Sequence, residues 1–186
     1  MFADDKEGVV CKVGKRNYLI DGVSGVGKTS VATELGKLGY QAIHGDRELK
    51  YRGDPETGEP VTPDTNPPTA KWLSEHQIWD IGKVKSYISN KDFEITFFCG
   101  GTRNYHKFVD LLDGIFILDV DQETMMKRID ERVAIDPTDF GATVEERELI
   151  LDLHTTKQDI PKNGVIIDAR QSLEEVVKSI LRYTKN

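Results

Sequence analysis

Eight residues, Gly22-Val23-Ser24-Gly25-Val26-Gly27-Lys28-Thr29, constrain this chain more than any others. They match G-x-x-x-x-G-K-[ST], a pattern with physical meaning only between a β-strand and an α-helix. Both neighbours are expected here: RNYLID precedes the loop, and residues 28–38 carry helical periodicity. Glycines at these positions allow a tight turn in which backbone N–H groups point inward as an anion-binding nest. The helix that follows adds the positive end of its dipole. The pattern predicts a nucleoside triphosphate site lined by Gly22, Val23, Ser24, Gly25, Val26 and Gly27. Lys28 is placed to bridge the β- and γ-phosphates, Thr29 to ligate Mg²⁺ through its hydroxyl, and Ser30 to offer a second hydroxyl nearby. The loop alone does not separate a kinase from an ATPase or a GTPase.

A strand that feeds a helix in this way belongs to an α/β chain, and the rest of the sequence keeps that rhythm. YQAIHGD, FEITFFCGG, GIFILDVD and NGVIIDA read as four further strands. Helical patterns are expected over residues 70–88, 104–112, 122–133, 144–155 and 172–182. Such alternation predicts a five-stranded parallel sheet with helices on both faces. Residues 52–69 break the rhythm, with five prolines and two glycines in RGDPETGEPVTPDTNPPT. This stretch cannot be helix or central strand, and it is read as a mobile lid or an insertion.

The chain has 186 residues, which suits one domain spanning 1–186. Its formal net charge of −7 argues against a chain that coats nucleic acid or lies on a membrane. No nucleic-acid or membrane partner is expected. The first ten residues are acidic and lack an apolar run, so no leader is predicted. Cys11 and Cys99 have no metal-type spacing and read as free thiols of a reducing, cytoplasmic compartment. No cluster of ligating side chains has metal-site spacing, so any Mg²⁺ is expected to arrive with a nucleotide.

Thr156-Lys157-Gln158-Asp159 matches the guanine-reading [NT]-K-x-D of GTPases. A GTPase also needs D-x-x-G after the phosphate loop, and the one such match, Asp5 to Gly8, lies before it. A motor-type ATPase needs an apolar strand that ends in Asp-Glu, and FILDVD does not provide one.

The remaining features resemble the nucleoside-monophosphate-kinase-like group of small P-loop kinases, which includes adenylate, shikimate and gluconate kinases. The resemblance runs over roughly residues 17–181. It implies a three-layer P-loop NTPase fold with a lid over residues 132–146 and the Pro-rich stretch 52–69 as an acceptor-side insertion. It also implies transfer of the γ-phosphate of Mg·ATP to a small-molecule acceptor. In LGYQAIHGDRE, Asp46 matches the group's aspartate near Mg²⁺ and the acceptor hydroxyl. The sequence continues Arg47-Glu48 where shikimate kinase has Asp-x-Asp, which leaves the role of Glu48 open. FFCGGTRN is similar to the glycine-rich strand end beside the acceptor, so Gly100 and Gly101 would border it. By the same match, in FILDVDQETMMKRIDER, Arg128 would flank the adenine and Arg132 would reach the transferring phosphate.

Chemistry supports these roles independently. Phosphoryl transfer is mainly positioning and charge neutralisation, which calls for a lysine, arginines and Mg²⁺. Arg128 and Arg132 are four residues apart and would share a helix face. A carboxylate at the C-terminal end of a strand, such as Asp46, is well placed to orient a hydroxyl, although it would also serve as a helix cap. Arg47, Arg52 and Arg103 would suit an anionic acceptor. Trp72, His76 and Trp79 fall on one helical face, either as core or, with Trp79 foremost, as a stacking wall for a flat acceptor. His44 and His106 read as structural or surface residues. An ATP-binding regulatory module without turnover is the alternative from another class, with a GTPase ranked behind it.

Overall fold

The structure is a computed structural model and describes residues 15–185. The readings made on Cys11, on Asp5 to Gly8 and on the N-terminal ten residues lie outside it.

Three of the sheet's strands, ITFFC, GIFILD and VIID, form where the sequence is dense in β-branched and aromatic residues. β1 (Arg16–Asp21), β2 (Gln41–His44), β5 (Ile95–Cys99), β6 (Gly114–Asp119) and β7 (Val165–Asp168) build one sheet in the order β2-β5-β1-β6-β7. Every neighbouring pair in it is parallel, as the strand–helix alternation predicts. All five residues of β5 are buried, which requires cover on both faces. On one face Tyr18 stacks near Phe97 and Phe116. Tyr40 and Tyr183 close that layer from the ends of α1 (Lys28–Lys37) and α7 (Leu173–Tyr183). On the other face Phe98 meets Tyr87 of α4 (Ile81–Ser89). α5 (Gln122–Ile135) and α6 (Val144–Thr156) complete the run of helices between β6 and β7.

From β1 the chain crosses to β2, returns to β5 and only then passes to β6, so the order reverses around β1. Ligands of open parallel sheets bind at the carboxyl ends of the strands at such a reversal. The phosphate loop, residues 22–27, sits there.

Two helix expectations are corrected. Residues 70–88 are three elements: α3 (Ala70–Glu75), β4 (Gln77–Trp79) and α4. Each helix has its own N-cap, the Thr69 hydroxyl accepting from the Trp72 N–H and the Asp80 carboxylate from the Lys83 N–H. Between them Gln77-Ile78-Trp79 pairs antiparallel with β3 (Lys50–Arg52). The apolar spacing runs through this break, and the partner strand lies too far away in sequence for periodicity to reveal it. Residues 104–112 form two short 3-10 turns, Tyr105–Lys107 and Val109–Leu111, instead of an α-helix. Asn104 is buried and spends its amide on the Trp79 backbone, accepting from its N–H and donating to its C=O at 3.0 Å each. That anchoring fixes the chain in a non-helical course.

The Pro-rich stretch also divides. Residues 53–61 are tied by backbone bonds, from Gly53 N–H to His76 C=O, from Asp54 N–H to Glu59 C=O and from Val61 N–H to Arg52 C=O. Residues 62–67 are exposed and regular structure resumes only at Ala70. Among the described residues no helix is long and apolar enough to cross a membrane.

Candidate active site

Gly22 has φ 147°, and a Cβ on it would lie 2.5 Å from the Leu118 carbonyl oxygen of β6. No other residue lets the loop leave β1 this close to the neighbouring backbone. Gly27 has φ 108° and caps α1 without any side-chain bond, which leaves the first N–H groups of a ten-residue helix uncapped by protein side chains. Lys28 folds back across the loop and donates to the carbonyls of Gly22 and, at 2.8 Å, Val23. Thr29 and Ser30 are exposed at the mouth.

α5 closes over the loop from the other side. Arg128 donates to the Val26 carbonyl at 3.0 Å and to the Ala169 carbonyl at 2.8 Å, so it ties the loop to the β7–α7 connection. One turn later Arg132 donates to the Ser24 hydroxyl at 3.2 Å and to the Phe140 carbonyl, with Asp139 at 3.0 Å. The two arginines share a face and both reach the phosphate loop. The stretch expected as a lid consists of the end of α5, a loop over residues 136–143 and the start of α6.

Asp46 lies in the four-residue helix α2 (Gly45–Glu48) directly after β2. It does not cap: His44 holds the N-cap position, and no side-chain cap bond forms. Its Oδ1 instead accepts from Gln77 Nε2 at 3.1 Å, and the same amide donates to the Gly101 carbonyl at 3.0 Å. A Cβ on Gly100 would come within 2.9 Å of that Asp46 oxygen, and one on Gly101 within 3.3 Å of Asp21 Oδ1. The two glycines therefore make room for two carboxylates. Glu48 is spent elsewhere, accepting from the His44 N–H and the Tyr87 hydroxyl.

Asp21 was not expected here. It ends β1, is 1% exposed, accepts from the Gly22 N–H at 2.7 Å through Oδ1 and has no partner for Oδ2 among the described residues. Burial drives its carboxyl up to about 7, against the opposing pull of Lys28, with Asp159 and Asp46 adding a smaller upward push. An acid that closes a buried apolar strand was the available signal, since such a position normally takes a hydrophobe. Burial, with a smaller contribution from Asp46, likewise pushes the Cys99 thiol far up, so it stays neutral.

Trp79 is corrected as an acceptor contact. It is fully buried, stacks on Phe108 with ring centroids 5.8 Å apart and presses against Gly45 and Gly100 from behind. Trp72 and His76 stack on each other in α3 and its C-cap. Arg103 donates to the Ser74 carbonyl at 2.8 Å and to the Ser74 hydroxyl, and pairs with Asp159 at 3.5 Å. Arg52 donates to the Leu73 carbonyl at 2.6 Å, while Arg47 points from α2 as an exposed residue. In the TKQD match Lys157 pairs with Asp119 at 2.8 Å and Asp159 with Arg103.

The residues present fit a nucleotide-borne divalent cation. Hard oxygen donors lie in and beside the loop: the exposed Thr29 within the motif, the unpartnered Asp21 oxygen directly before it, and the half-buried Asp46 within electrostatic range of Asp21. Among the described residues no three ligating side chains form a metal site by themselves, so phosphate oxygens would have to complete the shell.

No family model and no curated protein matches the chain. Its fold is similar to those of small P-loop kinases. A shikimate kinase from Acinetobacter baumannii, solved in complex with shikimate, superposes with a TM-score of 0.57 at 18% identity, over 91% of this chain and 92% of that one. A gluconokinase from Sinorhizobium meliloti 1021 gives a TM-score of 0.53 at 18% identity, over 91% of each chain. A sugar kinase from Janibacter sp. HTCC2649 gives 0.53 at 18% identity, over 92% of this chain and 95% of that one.

Proposed function

We propose that the chain is a phosphotransferase that moves the γ-phosphate of Mg·ATP to a hydroxyl of a small molecule. The observation that carries this reading is the placement of Asp46. A carboxylate with no capping duty is held by Gln77 beside a glycine-floored recess, on the same strand-end edge as the phosphate loop. A module that only binds nucleotide has no need for it.

In this reading the uncapped N–H groups of the loop and α1 hold the phosphates. The Lys28 ammonium exchanges its two carbonyl partners for β- and γ-phosphate oxygens, where charge builds as the bond to the leaving group lengthens. Arg132 already touches Ser24 of the loop and closes on the transferring group from above. Arg128 fixes the wall against which the adenine lies. Thr29 and Asp46 would hold the Mg²⁺ that comes with the nucleotide, and the ion would supply charge neutralisation there. Asp46 accepts a hydrogen bond from the acceptor hydroxyl and orients it for in-line attack. Gly100 and Gly101 floor the acceptor site.

Asp46→Asn tests this. Asn keeps the size and the oxygen that Gln77 holds, so stability should change by less than about 1 kcal/mol. Turnover should fall roughly a hundredfold or more, because charge and basicity are lost. Near-normal turnover in that variant would sink the assignment.

A further inference from the structure

We infer that the acceptor carries an acidic group beside the hydroxyl it offers, and that Arg52 takes this group while Gln77 sets its distance from Asp46. The inference rests on the phosphotransfer reading and names the acceptor class of that site, a hydroxylated carboxylate or phosphate monoester.

The arginines around the site differ in how far they are engaged. Arg103 has Asp159 and Arg132 has Asp139 as carboxylate partners, and Arg128 spends Nη1 and Nη2 on carbonyls. Arg47 is exposed, where water serves its charge. Arg52 is partly buried and has no carboxylate partner among the described residues. Only its Nη1 is used, donating to the Leu73 carbonyl at 2.6 Å and to Gln77 Oε1 at 3.5 Å. Its Nε and Nη2 have no partner among the described residues, and neither is sealed from solvent. That free edge is the pair of donors that matches two oxygens of a carboxylate or phosphate. Burial disfavours the Arg52 charge, and Asp46 is the nearby anion that opposes this.

Gln77 gives the free edge its place. It stands opposite Arg52 in the β3–β4 pair. Its amide oxygen accepts from Arg52, and its amide nitrogen donates to Asp46 Oδ1 at 3.1 Å and to the Gly101 carbonyl at 3.0 Å. The amide cannot turn over: two acceptors on one side require its NH₂, and a cation on the other requires its oxygen. One carboxamide group therefore separates the guanidinium from the carboxylate. A molecule with its hydroxyl on Asp46 and an acidic group a few carbon atoms away engages both, and Arg52 offsets the repulsion that the acidic group meets from Asp46. A neutral molecule leaves Arg52 unmet.

Arg52 and Arg103 also share a structural duty. Their bonds to the Leu73 and Ser74 carbonyls satisfy the C-terminal turn of α3. For Arg52 that duty uses one nitrogen and accounts for neither the free edge nor the contact with Gln77.

The test uses acceptors in matched pairs that differ by an acidic group: gluconate with glucose, glycerate with glycerol, and uridine 5′-monophosphate with uridine. Each is measured twice with the full chain, by calorimetric titration without nucleotide and by acceptor-stimulated ADP release with Mg·ATP. In the pair that responds, the acid should bind at least about tenfold tighter than its neutral partner. A response in the first two pairs reads a carboxylate, and one in the third reads a phosphate ester. Arg52→Gln should lower the acid-to-neutral ratio by about tenfold. Gln77→Glu should lower it as far, by setting a carboxylate against the same guanidinium, so the result does not hang on the folding of one variant. Dependence on Arg52 also separates a phosphate ester held here from one held by the phosphate loop. A role for Arg52 confined to α3 would lower both members alike and leave the ratio where it was. The inference is overturned by preference for the neutral member, by a ratio that neither variant moves, or by failure of every acid to bind at millimolar concentration. Failure of the phosphotransfer reading looks different: acids bind in an Arg52-dependent way, yet Mg·ATP is neither bound nor consumed.

Discussion

Asp21 has one oxygen on the Gly22 N–H and none of the exposure that normally sustains a carboxylate. Its carboxyl is raised from 3.8 to about 7 by burial. Between those two values the folded protein keeps a proton that the unfolded chain has released, so the folded state binds more protons and stability falls as pH rises from about 4 to 7. The penalty above that window is on the order of 4 kcal/mol. Asn keeps the shape and the Gly22 contact without the charge. Asp21→Asn should therefore melt higher than the parent at pH 8, with the gap closing toward pH 4. A pH-independent difference in melting temperature would show that the carboxyl titrates normally.

The elements around Asp46 are set by how closely backbone approaches ring. A Cβ on Gly45 would lie 2.1 Å from Trp79 Cζ2, and Trp79 cannot retreat because Phe108 backs it. Gly45→Ala should cost about 1–3 kcal/mol or more by overpacking. It should also displace α2, so turnover should drop further than the loss of folded protein explains. Gly36 in α1 is the opposite case, with nothing within 4 Å of an added Cβ. Gly36→Ala should raise stability by up to about 1 kcal/mol through helix propensity and leave turnover unchanged. Denaturant melts of both variants check the pair. These elements also show what sequence could and could not convey. The phosphate loop and the five parallel strands are local patterns, with spacing and apolar runs that any reading along the chain detects. The β3–β4 pair, Gln77 against Asp46 and Asp159 against Arg103 join residues 25 to 56 positions apart. Nothing local encodes such pairings, so β4 was absorbed into a helix, and Gln77 and Asp159 were not placed at the site.

Across the whole molecule the site is an assembly of distant segments that the sheet order brings to one edge. The phosphate loop follows β1, Asp46 follows β2, the two glycines follow β5, and the arginines ride on the helix after β6. In the proposed phosphotransfer the pieces around such a site close on the bound substrates. The least constrained piece is the exposed run over residues 62–67, beyond the hydrogen-bonded turn at 53–61. Amides there should exchange fast in the free protein and slow when Mg·ATP and an acceptor are both bound, whereas those of Gly53 and Val61 should be protected throughout. Protection of the run in the free protein would make it a static insertion. The claim beneath all of this is that the chain transfers phosphate and does not merely hold nucleotide. Following the label from γ-phosphate-radiolabelled Mg·ATP tests it most directly. The account predicts that label moves onto a hydroxylated acceptor, and that Lys28→Ala removes several kcal/mol of transition-state stabilisation, on the order of a thousandfold in rate, while the variant stays folded. Label released only as inorganic phosphate at a rate indifferent to acceptor, or transfer unchanged in Lys28→Ala, would contradict it.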